Sequence, residues 1–145
     1  VYLMGLLHDI GKIALTHVAA DESNEATRPV RENEELFNEL LTRFHTLVGL
    51  HVALKWNLPA DLVVGIYYHH SAEAAPSENW RRLAHVVTLA DAIAHVTNCP
   101  SERTLDVSLI TSPSAAFFSL SDVKLAALRV DLEDRMDAFI GAIAR

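Results

Sequence analysis

The 145-residue chain has a single cysteine, Cys99, so no internal disulfide can staple the fold, a usage that fits a reducing compartment. Positive charge is also scarce. Twelve Lys plus Arg stand against nineteen Asp plus Glu, a formal net charge of −7, and such a field repels polyanions and argues against duplex nucleic acid as a partner. A small phosphorylated ligand remains compatible, because bound cations reverse the potential locally. No apolar stretch approaches the roughly 18 residues that cross a bilayer, and no secretory signal is visible. The expectation is a soluble, cytoplasmic protein with no membrane contact. An initiator Met is missing too, and the chain opens inside the apolar run Val1-Tyr2-Leu3-Met4, which reads as a piece of a longer protein. That start would pack on residues upstream or on another copy in a homo-oligomer. Repeats, low-complexity tracts and alternating strand patterns are lacking as well.

What is present is a globular composition, 50% hydrophobic and 21% charged. A chain of this size buries roughly two-thirds of its unfolded surface, so residues 1–145 are expected to form one domain. Residues 1–15 read as the end of a buried helix, with Gly11 behind His8-Asp9 to loosen or end it. A polar loop around Pro29 follows over residues 20–35. Leu36, Phe37, Leu40, Leu41, Phe44, Val48 and Val52 then recur at three- and four-residue steps, as a core-facing helix requires. Asn57-Leu58-Pro59 stops that helix, and Pro59 suits the first turn of the next, which runs to His70. After a loop over 71–77, Leu83, Val86, Val87, Leu89, Ala90 and Ile93 mark a strongly apolar helix over 78–97. Residues 98–118 read as loop with a short helical turn, and Ser119-Leu120-Ser121-Asp122 starts a last helix toward Arg145. The class is all-α.

Six polar groups, from four separate segments, interrupt this apolar pattern in a way that points to metal. His8 and Asp9 are adjacent, and helical neighbours point about 100° apart, so they could grip an ion only from two sides of a cleft at a helix end. Imidazole supplies a neutral nitrogen, and a carboxylate has two oxygens with which it can bridge ions. An isolated pair would serve equally well as a polar helix end. His45, His69-His70 and Asp91 add weight, since each sits among apolar helical residues where an unpaired polar group is costly. Gly49, on the face of His45, could let a neighbouring helix approach closely. His51 points about 120° away from His45 and is excluded. His85 reads as a surface or hydrogen-bonded core histidine, and His17 as a loop residue. His95 shares a stripe with Thr88 and Asp91 and could support Asp91. Lys12 follows His8 by one turn, where its ammonium could meet a phosphate or a carboxylate, or simply face solvent.

The order His-Asp, His, His-His, Asp resembles the HD superfamily of metal-dependent phosphohydrolases. The wording Gly5-Leu-Leu-His-Asp-Ile-Gly-Lys12, His45-x-x-Val-Gly49, Trp56-Asn-Leu-Pro59, Ile66-Tyr-Tyr-His-His70, Leu89-Ala-Asp91 and Leu120-Ser-Asp-Val-x-Leu125 is similar to the HDOD domain, the HD-related output domain of bacterial signalling proteins. The resemblance covers nearly the whole chain and implies an HD-like helical bundle lacking its N-terminal helices, where the family often carries another histidine ligand. It further implies a centre for Fe, Mn, Zn or Ni in which Asp9 bridges two ions. His45, His69 and His70 would complete one site, while His8, Asp91 and the missing histidine would hold the other. The Gly-Tyr-Pro signature of the related cyclic-dinucleotide phosphodiesterases is absent after His70.

Two functions follow from the resemblance. The first is a regulatory output domain that binds a signalling protein or a phosphorylated small molecule. The second is an active phosphohydrolase in which Asp9 and Lys12 take part in catalysis, metal lowering the pKa of an attacking water. Histidines that are ordinary core polar groups, with no metal, form a third reading; His69-His70 would then need several hydrogen-bond acceptors.

Overall fold

The computed structural model describes residues 1–98 and 107–143, which fall into two compact units, Val1–Val87 and Thr88–Arg145. Cys99 lies outside the described residues, as does the first part of the segment expected as loop. The described residues are helical and contain no strand, in keeping with the all-α expectation. Among the described residues no helix is long and apolar enough to cross a membrane.

The first unit begins with α1 (Tyr2–Leu7) and α2 (Ile10–Ala20), so the single buried helix expected over 1–15 is corrected. It breaks at His8-Asp9, where Asp9 takes φ −99°, ψ 15° at the N-cap position of α2, while Gly11 continues the helix instead of ending it. Nor is it buried throughout. Met4 and Gly11 are, but Tyr2 is 83% and Ile13 67% exposed. His17 belongs to α2 as an exposed residue and is not in a loop.

The polar stretch after Ala20 also holds structure that composition concealed. Asn24 caps a 3-10 turn, Glu25–Thr27, through Oδ1, and α3 (Arg28–Arg31) follows with Pro29 in its first turn. Arg31 donates to the carbonyl of Asp21 at 2.9 Å, tying this segment back to the end of α2. Asn33 then caps α4 (Glu34–Lys55), its Oδ1 accepting from the Leu36 amide at 3.0 Å, with Glu34 and Glu35 favourably placed in the first turn.

The buried line of α4 is His45, Gly49 and Ala53, whereas Phe44, expected in the core, is 46% exposed and Leu36 is exposed as well. The reason is close approach. A Cβ on Gly11 would overlap the carbonyl oxygen of His45 and stand 2.7 Å from the Gly49 amide nitrogen, so α2 meets α4 backbone to backbone. Small residues form that seam, and the large ones flank it.

A Schellman turn ends α4. Asn57, in the left-handed region at φ 54°, donates to Leu54, and Leu58 donates to Ala53 at 3.0 Å. Pro59 then stands at the N-cap of α5 (Ala60–Tyr68), which sends His69 and His70 back toward α4. Met4 of α1 packs over Gly65 of α5. The unit is completed by a 3-10 turn, Ala72–Ala74, and the first part of α6 (Glu78–Asn98), with Val64, Ala72 and Ala84 forming a buried cluster against Tyr68 and Trp80.

In the second unit, Leu89 and Ile93 of α6 share a core with Leu109 of α7 (Val107–Ile110), Ala115 of α8 (Pro113–Phe117) and Leu125 of α9 (Asp122–Ile143). Ser112 caps α8 by accepting from the Ala115 amide at 3.1 Å.

Candidate metal centre

Three breaks and turns of the first unit deliver polar groups to one place. His8 and Asp9 stand in the gap between α1 and α2, His45 comes from the buried line of α4, and His69-His70 extend from the end of α5. The seam at Gly11 and Gly49 brings α2 and α4 close enough for the His8-Asp9 gap to face His45. His45 and His69 are buried.

The backbone sets the tautomers. His8 Nδ1 donates to the Gly5 carbonyl at 2.8 Å, His45 Nδ1 to Leu41 at 2.7 Å, and His69 Nδ1 to Ile66 at 2.9 Å. A carbonyl only accepts, so each Nδ1 carries the hydrogen and each neutral ring is left with a lone pair on Nε2. Those nitrogens converge. His45 Nε2 lies 3.3 Å from His69 Nε2 and 3.0 Å from His70 Nε2, while Asp9 Oδ1 is 3.5 Å from His45 Nε2 and 3.7 Å from His69 Nε2. Between the neutral rings of His45 and His69 there is no hydrogen to share.

Among the described residues Asp9 Oδ1 is buried without a hydrogen-bond partner, an arrangement that generally costs about 1–3 kcal/mol. Lone pairs and a bare carboxylate oxygen facing each other call for a positive charge between them. Two ligands held about 2.1 Å from one ion are about 3.0 Å apart at a right angle and about 3.4 Å apart at a tetrahedral angle, which matches the observed spacing. His45, His69 and His70 form one group able to hold an ion, and His8, Asp9 and His69 form another. The donor set suits a divalent metal that tolerates imidazole.

A proton is the competing cation, and the site resists it. Burial, the neighbouring His70 and to a lesser degree His8 push the His69 pKa down to about 4, against partial compensation from the Ile66 carbonyl and Asp9. Burial alone would raise the Asp9 pKa, but the Lys12 hydrogen bond and the charges of His8, Lys12 and His45 outweigh it and hold the carboxyl below its usual value. At neutral pH His69 and Asp9 therefore stand ready without losing a proton.

The His69 shift has a sign that can be measured. Between pH 6.5 and about 4 the unfolded chain binds a proton at this position that the folded chain refuses, so metal-free stability falls with pH across that window, by roughly 3 kcal/mol for this group. Urea denaturation at pH 7, 5.5 and 4.5 should show the decline, and His69→Asn should flatten it. An unchanged slope in the variant would refute the assignment.

Of the residues singled out from sequence, His8, Asp9, Lys12, His45, His69 and His70 all gather here. Lys12 Nζ donates to Asp9 Oδ2 at 2.6 Å, so its ammonium meets a carboxylate. Asp91 belongs to the second unit, where its carboxylate lies 3.6 Å from Nδ1 of His95, itself 73% exposed at the side chain. His51 is exposed and donates to Leu47, as its exclusion required. His85 is buried with Nε2 3.1 Å from Glu73 Oε1. Two parts of the arrangement had no reading in advance. Gly11 is the point of helix contact, and the carbonyls of Gly5, Leu41 and Ile66 orient the rings; a histidine three or four residues after an unencumbered helical carbonyl is the local signal for the latter.

The family model for the HDOD domain matches residues 1–72, a span that contains every member of the cluster. An uncharacterized protein of Treponema pallidum (strain Nichols) is 27% identical over 81 residues, covering 53% of this chain and 16% of that protein. The chain thus spans less than a fifth of the length of that relative. No solved structure matches.

Proposed function

Because residues 1–72 belong to the HDOD family, a relative of the HD superfamily, we propose that the chain is part of a bacterial regulatory output module whose HDOD domain holds a divalent metal through Asp9, His45, His69 and His70, with His8 beside them. The observation that carries this reading is the convergence of the Nε2 atoms of His45, His69 and His70 beside the buried Asp9 Oδ1, which makes no hydrogen bond. Fe, Mn, Zn and Ni all suit such donors. Bound metal would lock α2, α4 and α5 together and supply a positive focus on an acidic protein, toward which a phosphorylated small molecule or an acidic segment of a cytoplasmic partner could bind.

An active phosphohydrolase is the second reading, favoured by the ammonium of Lys12 at the edge of the cluster. Metal analysis of the purified chain followed by a phosphodiesterase and phosphomonoesterase panel with Mn separates the two. The regulatory reading expects a stoichiometric divalent metal that Asp9→Ala removes, and no ester turned over. Turnover that disappears in Asp9→Ala would transfer the site to the hydrolase reading, and a wild-type chain that binds no metal would defeat both.

A further inference from the structure

The two oxygens of Asp9 keep different company. Oδ1 faces the imidazoles, 3.5 Å from His45 Nε2 and 3.7 Å from His69 Nε2. Oδ2 accepts from Lys12 Nζ at 2.6 Å and lies 3.5 Å from His8 Nε2. A carboxylate that bridges two ions gives one oxygen to each. Here the second oxygen already holds a cation. Local structure puts it there, since Asp9 stands at the N-cap position of α2 with no capping hydrogen bond from its side chain, and Lys12 follows by three residues on the same side of the first turn.

The supply of nitrogens points the same way. Both groups of residues able to hold an ion draw on His69. Its Nδ1 is committed to the Ile66 carbonyl, so only Nε2 remains, and one nitrogen serves one ion. If His69 completes the side built from His45, His70 and Oδ1, what the first unit offers the other side is His8 and an oxygen shared with an ammonium. A second divalent ion there would have to displace Lys12 or sit against its charge.

We propose that Lys12 is a built-in counter-cation that restricts this cluster to a single divalent ion, by holding the Asp9 oxygen through which a second ion would be bridged. The inference rests on the metal-binding reading above and narrows it, because a one-ion centre lacks the paired ions that clamp both the attacking and the leaving oxygen in two-metal phosphoester chemistry.

The test counts ions. The 145-residue chain, Lys12→Met and Lys12→Gln are titrated with Mn(II), with bound metal measured by elemental analysis and ion coupling by electron paramagnetic resonance. One Mn(II) per wild-type chain with an isolated-ion spectrum is expected, and the variants should take up a second ion at concentrations at least tenfold lower than the wild type needs, with a coupled spectrum. Two coupled ions in the wild type, or one ion in all three proteins, would overturn the inference while leaving the metal reading intact. No ion in the wild type brings down both. If circular dichroism shows the variants unfolded, the wild-type count and spectrum decide by themselves, one isolated ion supporting the proposal and a coupled pair refuting it.

Discussion

Gly11→Ala is expected to destabilise the protein by about 3 kcal/mol or more, and Gly11→Leu to prevent folding. A Cβ at this position overlaps the carbonyl oxygen of His45 and crowds the Gly49 amide. Both obstacles are backbone in the middle of α4, so no side chain can swing aside, and α2 must move away along its whole contact. A typical domain has about 5–15 kcal/mol in total, so the larger side chain exceeds what the fold can absorb. The other glycines provide the scale. Gly65→Ala meets only the flexible side chain of Met4 and should cost less, while Gly5→Ala and Gly141→Ala, with nothing within 4 Å, should be neutral or slightly stabilising in their helices. Urea denaturation of the four alanine variants checks the order. Equal effects at Gly11 and Gly5 would show that α2 and α4 are not in backbone contact. The Gly11 substitution should also weaken metal binding, because it pushes the His8-Asp9 gap away from His45.

His45→Ala is expected to abolish the thermal stabilisation that added metal confers on the wild type. His45 Nε2 is the hub of the cluster, within 3.5 Å of His69 Nε2, His70 Nε2 and Asp9 Oδ1. A ligand that binds only the folded state at a thousandfold excess over its Kd contributes about 4 kcal/mol, and the variant should lose nearly all of it. The metal-free comparison separates a ligand from a packing residue. Without metal, removing this ring leaves a cavity but also relieves the crowding of lone pairs, so the apo proteins should differ far less than the metal-loaded ones. Scanning calorimetry with and without Mn(II) measures both differences. A variant that responds to metal as the wild type does would remove His45 from the centre. Asp9→Asn, which keeps the shape but not the charge, should show the same loss of response with an apo stability closer to wild type.

Much of this was legible in the chain. The long helix ending at Lys55, the corner at Asn57-Leu58-Pro59 and the helix starting at Glu78 follow from periodicity and turn chemistry that act within a few residues. His45 and His69-His70 were readable as convergent because a histidine placed among apolar residues needs a partner, and their spacing put them on faces turned inward. The exposure of Phe44 and Leu36 was not readable. Apolar periodicity marks a stripe, yet how much of it is covered depends on how closely the facing helix comes, and at Gly11 it comes to the backbone.

The sequence by itself determined that the protein is helical, acidic and equipped with a metal-ligating vocabulary in HD order, since propensity, charge and donor chemistry are carried by single residues and their near neighbours. Tertiary structure decided that the opening helix breaks at His8-Asp9, that α2 meets α4 backbone to backbone at Gly11, and that Nε2 of His45 stands 3.3 Å from Nε2 of His69 and 3.5 Å from Oδ1 of Asp9. The last two are matters of ångströms between segments at least 24 residues apart, and only the packing of α2, α4 and α5 sets them.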